Sequence, residues 1–272
     1  MNIFISADME GMAGIVGWHQ AEHTERDYGM ARLWMTQQVN AAIEGAISAG
    51  ATSILVKDAH ETATNILLDK LHPAAELISG WGPLGSMVEG VDESFDAVML
   101  LGYHARAMTI GGTLAHTWSG NVLDLRLNGE PIGETAWAAA FAGHFNVPIA
   151  LITGDDKLKE QVDHELPPGF HYVITKTGMA HKAARLRPLA DVCEEIRDTA
   201  AASLADLEGL PVFKPHLPAT VSIRFRHWEG LDICAAVPGV QRLDVATFQF
   251  QAADMIEAQK YFATLHRLAP RS

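Results

Sequence analysis

Asp8 and Glu10 stand two residues apart, directly after a short apolar run at residues 2–7 (NIFISA). In an extended chain, side chains two positions apart point to the same side, so both carboxylates address one volume. Asp58 and His60 follow a second apolar run at residues 53–57 (SILVK), and His104 follows a third at residues 96–101 (DAVMLL). Carboxylate oxygen and imidazole nitrogen are the mixed donor set of zinc and its first-row neighbours. Gly11 and Gly14 come next in the chain and leave room for the backbone close to such a centre. Taken singly, each residue has a plainer explanation. An acidic residue after a strand caps the next helix or stays solvated, and an isolated histidine is a hydrogen-bonded structural group. Three strand ends that all supply metal-type donors favour a metal site.

Those donors converge only if parallel strands align their carboxyl ends, which is where open α/β sheets bind ligands. The pattern along the chain provides such strands. Residues 31–49 have helical spacing, with Leu33, Val39, Ile43 and Ile47 on the apolar side and Gly50 as the C-cap. Asn128-Gly129 between alternating apolar residues signals a hairpin. An Ala-rich helix is expected over 134–145, a strand over 147–153, a short helix over 157–165 and a strand over 172–176. A helix over 191–207 turns Val192, Ile196, Leu204 and Leu207 inward. Beyond about residue 211 the texture changes, with strands expected at 220–226, 232–237 and 247–251. Asp254 then caps a final helix that ends near Leu268. The expected fold is α/β, a mostly parallel sheet flanked by helices with a smaller C-terminal α+β lobe. Residues 1–180 would form the metal-binding catalytic domain and 181–272 the lobe.

The 272 residues are 48% hydrophobic and 19% charged, enough to bury a sizeable core. Lys and Arg number 20 against 33 Asp and Glu, a net charge of -13 with no basic cluster, so a phosphate backbone would be repelled and nucleic acid is a poor partner. The two cysteines, Cys193 and Cys234, form no CxxC motif and read as free thiols in a reducing compartment. The first residues carry no basic stretch followed by a long apolar one, and no apolar run approaches the ~20 residues that cross a membrane. A cytoplasmic protein is expected.

SADMEG around Asp8 and Glu10, KDAH around His60 and LGYHA around His104 resemble the motifs of the zinc-dependent D-aminopeptidases of the bacterial dipeptide-operon type. LHPAAELISG (71–80), SMVEG (86–90), NGEPIGE (128–134), TGDD (153–156) and VATFQFQAADM (245–255) extend the resemblance, in order, over nearly the whole chain. The resemblance implies an aminopeptidase with two zinc ions per subunit that releases N-terminal D-amino acids from short peptides through a metal-activated water. Asp8 matches the carboxylate bridging both metals. Glu10 and His60 match the other ligands of one metal, and His104 and Glu134 those of the second. His116, in TLAHTWSG, matches the catalytic histidine. A homo-oligomer is also implied, a decamer of two stacked pentameric rings.

Spacing alone reads some of these positions differently. Glu134 opens a helix, where a carboxylate suits the positive dipole end, and His116 is simply a loop histidine. Asp155 and Asp156 end a strand and could orient ligand histidines or cap the following helix. His19 and His23 belong to a surface loop near the site entrance and are not expected as ligands. Trp81 and Trp118 lie in stretches that would wall the pocket. Divergence there leaves room for a metal-dependent amidase or esterase on another small acyl substrate. A non-catalytic α/β binding protein would bind without turnover, and the pairing of five ligand-type residues with His116 argues against it. EGMAGIVG is not GxGxxG and follows acidic residues that repel pyrophosphate, so a nucleotide enzyme is disfavoured.

Overall fold

The computed structural model describes residues 1–270. The chain begins with β1 (Asn2–Ala7), a single helical turn α1 (Trp18–Ala21), the long helix α2 (Tyr28–Ser48), then β2 (Ser53–Asp58), β3 (Ala75–Ile78) and β4 (Ala97–Leu101). The hairpin β5 (Val122–Leu127) and β6 (Glu130–Pro131) leads to α3 (Glu134–His144), β7 (Ile149–Asp155), α4 (Asp156–Glu165), β8 (His171–Ala180) and β9 (Ala183–Leu186). The rest comprises α5 (Leu189–Ser203), β10 (Ala219–Phe225), a 3-10 turn (Leu231–Ala236), β11 (Gln241–Arg242), β12 (Thr247–Ala252) and α6 (Met255–Leu268).

Seven strands form one sheet in the order β3-β2-β1-β4-β7-β8-β9, parallel throughout except for β9. From β1 the chain crosses first to β2 on one side and later to β4 on the other, so the topological switch point lies between β1 and β4. That crevice is where α/β sheets place ligands. A second, antiparallel sheet runs β11-β12-β10-β5-β6 and draws strands from both sides of residue 180. The mostly parallel, helix-flanked sheet expected from the sequence is present, and the C-terminal β-texture belongs to this second sheet.

Both faces of the parallel sheet are covered, as its near-continuous apolar strands require. Along β1, Ile3, Ile5 and Ala7 join the core under α2 and α5, while Phe4 joins the core beneath α3, α6 and the second sheet. Helices α2 and α5 approach very closely. A Cβ on Gly45 would sit 2.2 Å from the Arg197 carbonyl oxygen. Asn128 and Gly129 both have positive φ, 54° and 89°, which is the hairpin turn their sequence predicts.

Three expectations are corrected. α2 starts at Tyr28, one turn earlier than the pattern suggested. Its buried stripe runs through Ala31, Met35, Val39, Ala42 and Ala46, leaving Leu33 and Ile47 each 38% exposed. Small residues let α5 come near, so the contact stripe is rotated away from the larger side chains. Residues 232–237 were expected as a strand but form the 3-10 turn. Leu231 and Cys234 are the buried residues there, and a spacing of three suits a three-residue turn rather than alternation.

Candidate metal centre

Strand register delivers the first ligand-type residues. Ala7 pairs with Asp58 on one side and Leu101 on the other, so β1, β2 and β4 end level. Asp8 then donates its amide to Leu101 O at 2.8 Å, and Gly11 donates to Gly102 O at 2.7 Å. This keeps the loop after β1 folded over the end of β4. Glu134 arrives from another direction, as the first residue of α3 after the extended Gly133.

The five side chains meet in one buried cluster. His60 Nδ1 lies 3.2 Å from Asp8 Oδ1 and 2.9 Å from Glu10 Oε2. His104 Nε2 lies 3.4 Å from both Asp8 Oδ2 and Glu134 Oε1. Asp8 thus sits between two acid-imidazole groups. Each ring is fixed by its far nitrogen, His60 Nε2 on Ala21 O at 2.7 Å and His104 Nδ1 on Ala105 O at 3.0 Å. A carbonyl on the far nitrogen sets the tautomer and leaves the near nitrogen free to ligate. His116 follows the same rule. Its Nδ1 bonds Leu114 O at 2.9 Å, and its Nε2 reaches to 3.8 Å from Glu10 Oε1.

Asp8 Oδ2, Glu10 Oε2 and His104 Nε2 are buried and make no well-aligned hydrogen bond among the described residues, only the ion-pair contacts above. Orphaned buried polar atoms are costly unless something else satisfies them. Donors around a tetrahedral zinc at its usual bond lengths stand about 3.3 Å apart, close to the separations here. Two triads, Asp8-Glu10-His104 and His104-His116-Glu134, could each hold an ion. The donor set and the orphaned atoms fit a metal.

The protonation pattern without metal is that of a site needing positive charge. Burial pushes the Asp8 carboxyl up to about 8, and Glu10 beside it adds to the rise. Burial would lift Glu10 too, but the charge on His60 holds it well below the usual carboxylate range. Burial works against charge on His104, yet the Glu134 carboxylate carries it up to about 10. His60 is likewise pushed well above its ordinary value, with Glu10 overcoming its burial. His116 goes the other way. Burial lowers it and the charge on His104 lowers it further, so it is neutral at neutral pH.

Supporting residues fix this arrangement. Asp58 is not among the clustered ligand atoms. Its carboxylate accepts from the amides of Asn65 (2.5 Å) and Ile66 (2.7 Å) and closes the loop that carries His60. Lys176, fully buried on β8, donates to the carbonyls of Glu10 (2.5 Å), Met12 (2.9 Å) and Ile15 (2.6 Å). Sequence reasoning passed over Lys176. The signal available was a lysine ending an apolar strand. Asp155 caps α4 through Leu158 N at 2.8 Å and takes Thr113 N at 2.8 Å, while Asp156 accepts from Gly178 N at 2.6 Å. Both therefore act as backbone caps rather than partners of a ligand histidine. Through Thr113, Asp155 also anchors the segment leading to His116. His19 and His23 are exposed and pair with Asp27 and Glu61.

The cluster lies at the base of a cavity of about 1020 Å³ whose walls include Trp18, Trp81 and Trp118. Trp118 also donates its amide to Glu134 Oε1 at 2.6 Å, linking the wall to the cluster.

The model of the peptidase M55 family, D-aminopeptidase, matches residues 1–264. A D-aminopeptidase of Bacillus subtilis (strain 168) is 32% identical over 273 residues, covering 100% of this chain and 99% of the relative. A solved structure, the Zn-dependent D-aminopeptidase DppA from Bacillus subtilis, described as a self-compartmentalizing protease, superposes with a TM-score of 0.95 at 32% identity, covering 100% of this chain and 99% of that one. The motifs, the fold and the clustered donors agree with these likenesses, and the chain belongs to the M55 family of D-aminopeptidases.

Proposed function

We propose that this protein is a two-zinc aminopeptidase that hydrolyses short peptides bearing an N-terminal D-amino acid. The observation that carries the reading is the set of orphaned, buried ligand atoms on Asp8, Glu10 and His104, in a chain whose relative is zinc-dependent. Glu10 and His60 would hold one ion and His104 and Glu134 the other, with Asp8, which contacts both histidines, serving both. Bound zinc supplies Lewis acidity, which polarises a carbonyl and brings the pKa of water towards ~7.

The chain's own residues do the rest. His116 presents Nε2 to the centre, because Nδ1 is committed to Leu114 O. Being neutral, it takes a proton at Nε2 during attack and returns it to the leaving amine.

The proposal extends to assembly and location. A homo-oligomer, with a decamer of two pentameric rings as the specific form, is supported by the exposed apolar side chains of Met108 (78%), Ile110 (94%) and Met179 (70%). Two free cysteines, Cys193 and Cys234, support a cytoplasmic location. Among the described residues no helix is long and apolar enough to cross a membrane.

Release of D-alanine from D-Ala-D-Ala beside L-Ala-L-Ala, before and after chelation and zinc add-back, tests the activity. Chelator-sensitive cleavage of the D-substrate alone is expected. Preferred cleavage of the L-dipeptide would overturn the substrate assignment.

A further inference from the structure

The cavity over the carboxylate-rich metal centre also has basic lining. Arg226, directly after β10, and Arg267, near the end of α6, line the same cavity as Asp8, His60 and Glu134. Several arginines elsewhere in this acidic chain pair with carboxylates, as Arg106 does with Glu165, Arg197 with Glu44 and Arg242 with Asp232, while Arg185 and Arg224 form no ion pair among the described residues. The guanidinium groups of Arg226 and Arg267 form no ion pair or hydrogen bond among the described residues. Unlike the other arginines without an ion pair, these two line one cavity together, which leaves both guanidiniums open to a single anion from outside.

This lining is also built. Asn121, only 7% exposed, takes the Arg226 amide on its carbonyl at 2.7 Å and the His227 amide on Oδ1 at 3.0 Å. Its Nδ2 donates to Pro270 O at 2.9 Å, just beyond Arg267. One buried asparagine thus fixes the backbone beside both arginines. On the other side Arg267 lies against Gly85, where an added Cβ would stand 2.9 Å from Nη2. That glycine, with φ of 61°, leaves the space the guanidinium fills.

We propose that Arg226 and Arg267 form the subsite for the free α-carboxylate of a short peptide. This rests on the aminopeptidase reading. With the amino-terminal residue at the metal centre, the distance to the arginines acts as a ruler. It selects peptides of a few residues with an uncapped carboxyl end and disfavours amides and longer chains. Guanidinium is the side chain suited to this task, because its fork meets both carboxylate oxygens.

The test uses zinc-loaded protein and matched peptides of two and three residues, each beginning with D-alanine, as free acids and as C-terminal amides. At one of the two lengths, kcat/KM for the acid should exceed that for the amide by roughly tenfold to a hundredfold, the range of a charge-assisted pair. Arg226→Gln and Arg267→Gln should each shrink that ratio about tenfold, mainly through KM, with Arg→Lys keeping part of it. Calorimetric binding of the same pairs reads the subsite without turnover. An acid preference in binding with no cleavage would sink the aminopeptidase reading and keep the subsite. Equal handling of acid and amide by the wild type, or an unchanged ratio in both glutamine variants, would overturn the subsite. So would a change of oligomeric mass in those variants, which would assign the arginines to a subunit contact.

Discussion

The imidazole rings of His104 and His116 stack with centroids 4.1 Å apart and planes 12° from parallel. One is charged and the other neutral in the metal-free chain, because His104 sits among carboxylates while His116 is buried beside that charge. The proposed function gives the two stacked rings different roles. His104, facing Asp8 and Glu134, is the proposed ligand, and His116, standing over it, is the proposed proton carrier. His116→Ala should therefore lower kcat by about a hundredfold to ten-thousandfold while zinc content stays at two per chain. Elemental analysis beside steady-state kinetics checks this. Loss of one zinc would make His116 a ligand in the triad it can form with His104 and Glu134.

Metal uptake should release protons. In the metal-free centre His104 is held up to about 10 and His60 well above its ordinary value. Both imidazoles must become neutral to ligate. Zinc affinity should therefore rise as pH rises from about 6 to 9. Calorimetry in buffers of different ionisation enthalpy should show at least one proton released per ion at pH 7. The chelated chain should behave in the opposite sense. The folded value of His104 lies above its ordinary 6.5, so its contribution to stability is present below that pH and is lost as pH climbs towards about 10. Lys57 and Lys176, both lowered to about 8 by burial, titrate there in the opposite sense, so the check compares the chelated wild type with His104→Asn, and an identical pH dependence in the two would contradict the charge assigned to His104.

Lys176 should matter beyond its distance from the chemistry. Its ammonium gathers the carbonyls of Glu10, Met12 and Ile15, the loop that carries the proposed ligands Asp8 and Glu10. Lys176→Met keeps the length but leaves those acceptors without their donor, a loss of about 3 kcal/mol. Zinc affinity should fall about tenfold to a hundredfold, as for other groups that orient ligands. Denaturant titration and competition with a zinc indicator would measure both. Unchanged zinc affinity would show that the loop holds its shape without the lysine.

Gly11→Ala should disrupt the same loop by another route. A Cβ there would stand 1.8 Å from Tyr103 O, a backbone atom next to His104. The loop or the end of β4 must shift, at a cost of about 3 kcal/mol. Lower melting temperature together with weaker zinc binding is expected. Normal zinc binding at full stability would mean that the two segments are not locked together.

The strand ends carried most of what the sequence could tell. Asp8, Glu10, His60 and His104 each follow an apolar run, and level parallel strands bring them together with no further assumption. Glu134 and His116 were legible only through family motifs, because a helix start and a long loop have no spacing that points at a distant strand end. The support was not legible at all. Lys176 lies 166 positions from the carbonyl it holds at Glu10, and such contacts leave no local pattern. Neither did the close approach of α2 and α5, which turned Leu33 and Ile47 outward. The strand expected at 232–237 failed because apolar alternation and a spacing of three look alike over so short a segment.

The central claim is that zinc held by this cluster drives cleavage of D-peptides. Its most direct test is zinc content measured beside D-alanine release for wild type, Asp8→Asn and Glu10→Gln. Two zinc ions per chain in the wild type are predicted, with loss of at least one ion and a fall in activity of more than a hundredfold in each variant. Full D-peptide hydrolysis by a variant that has lost its zinc would contradict the account.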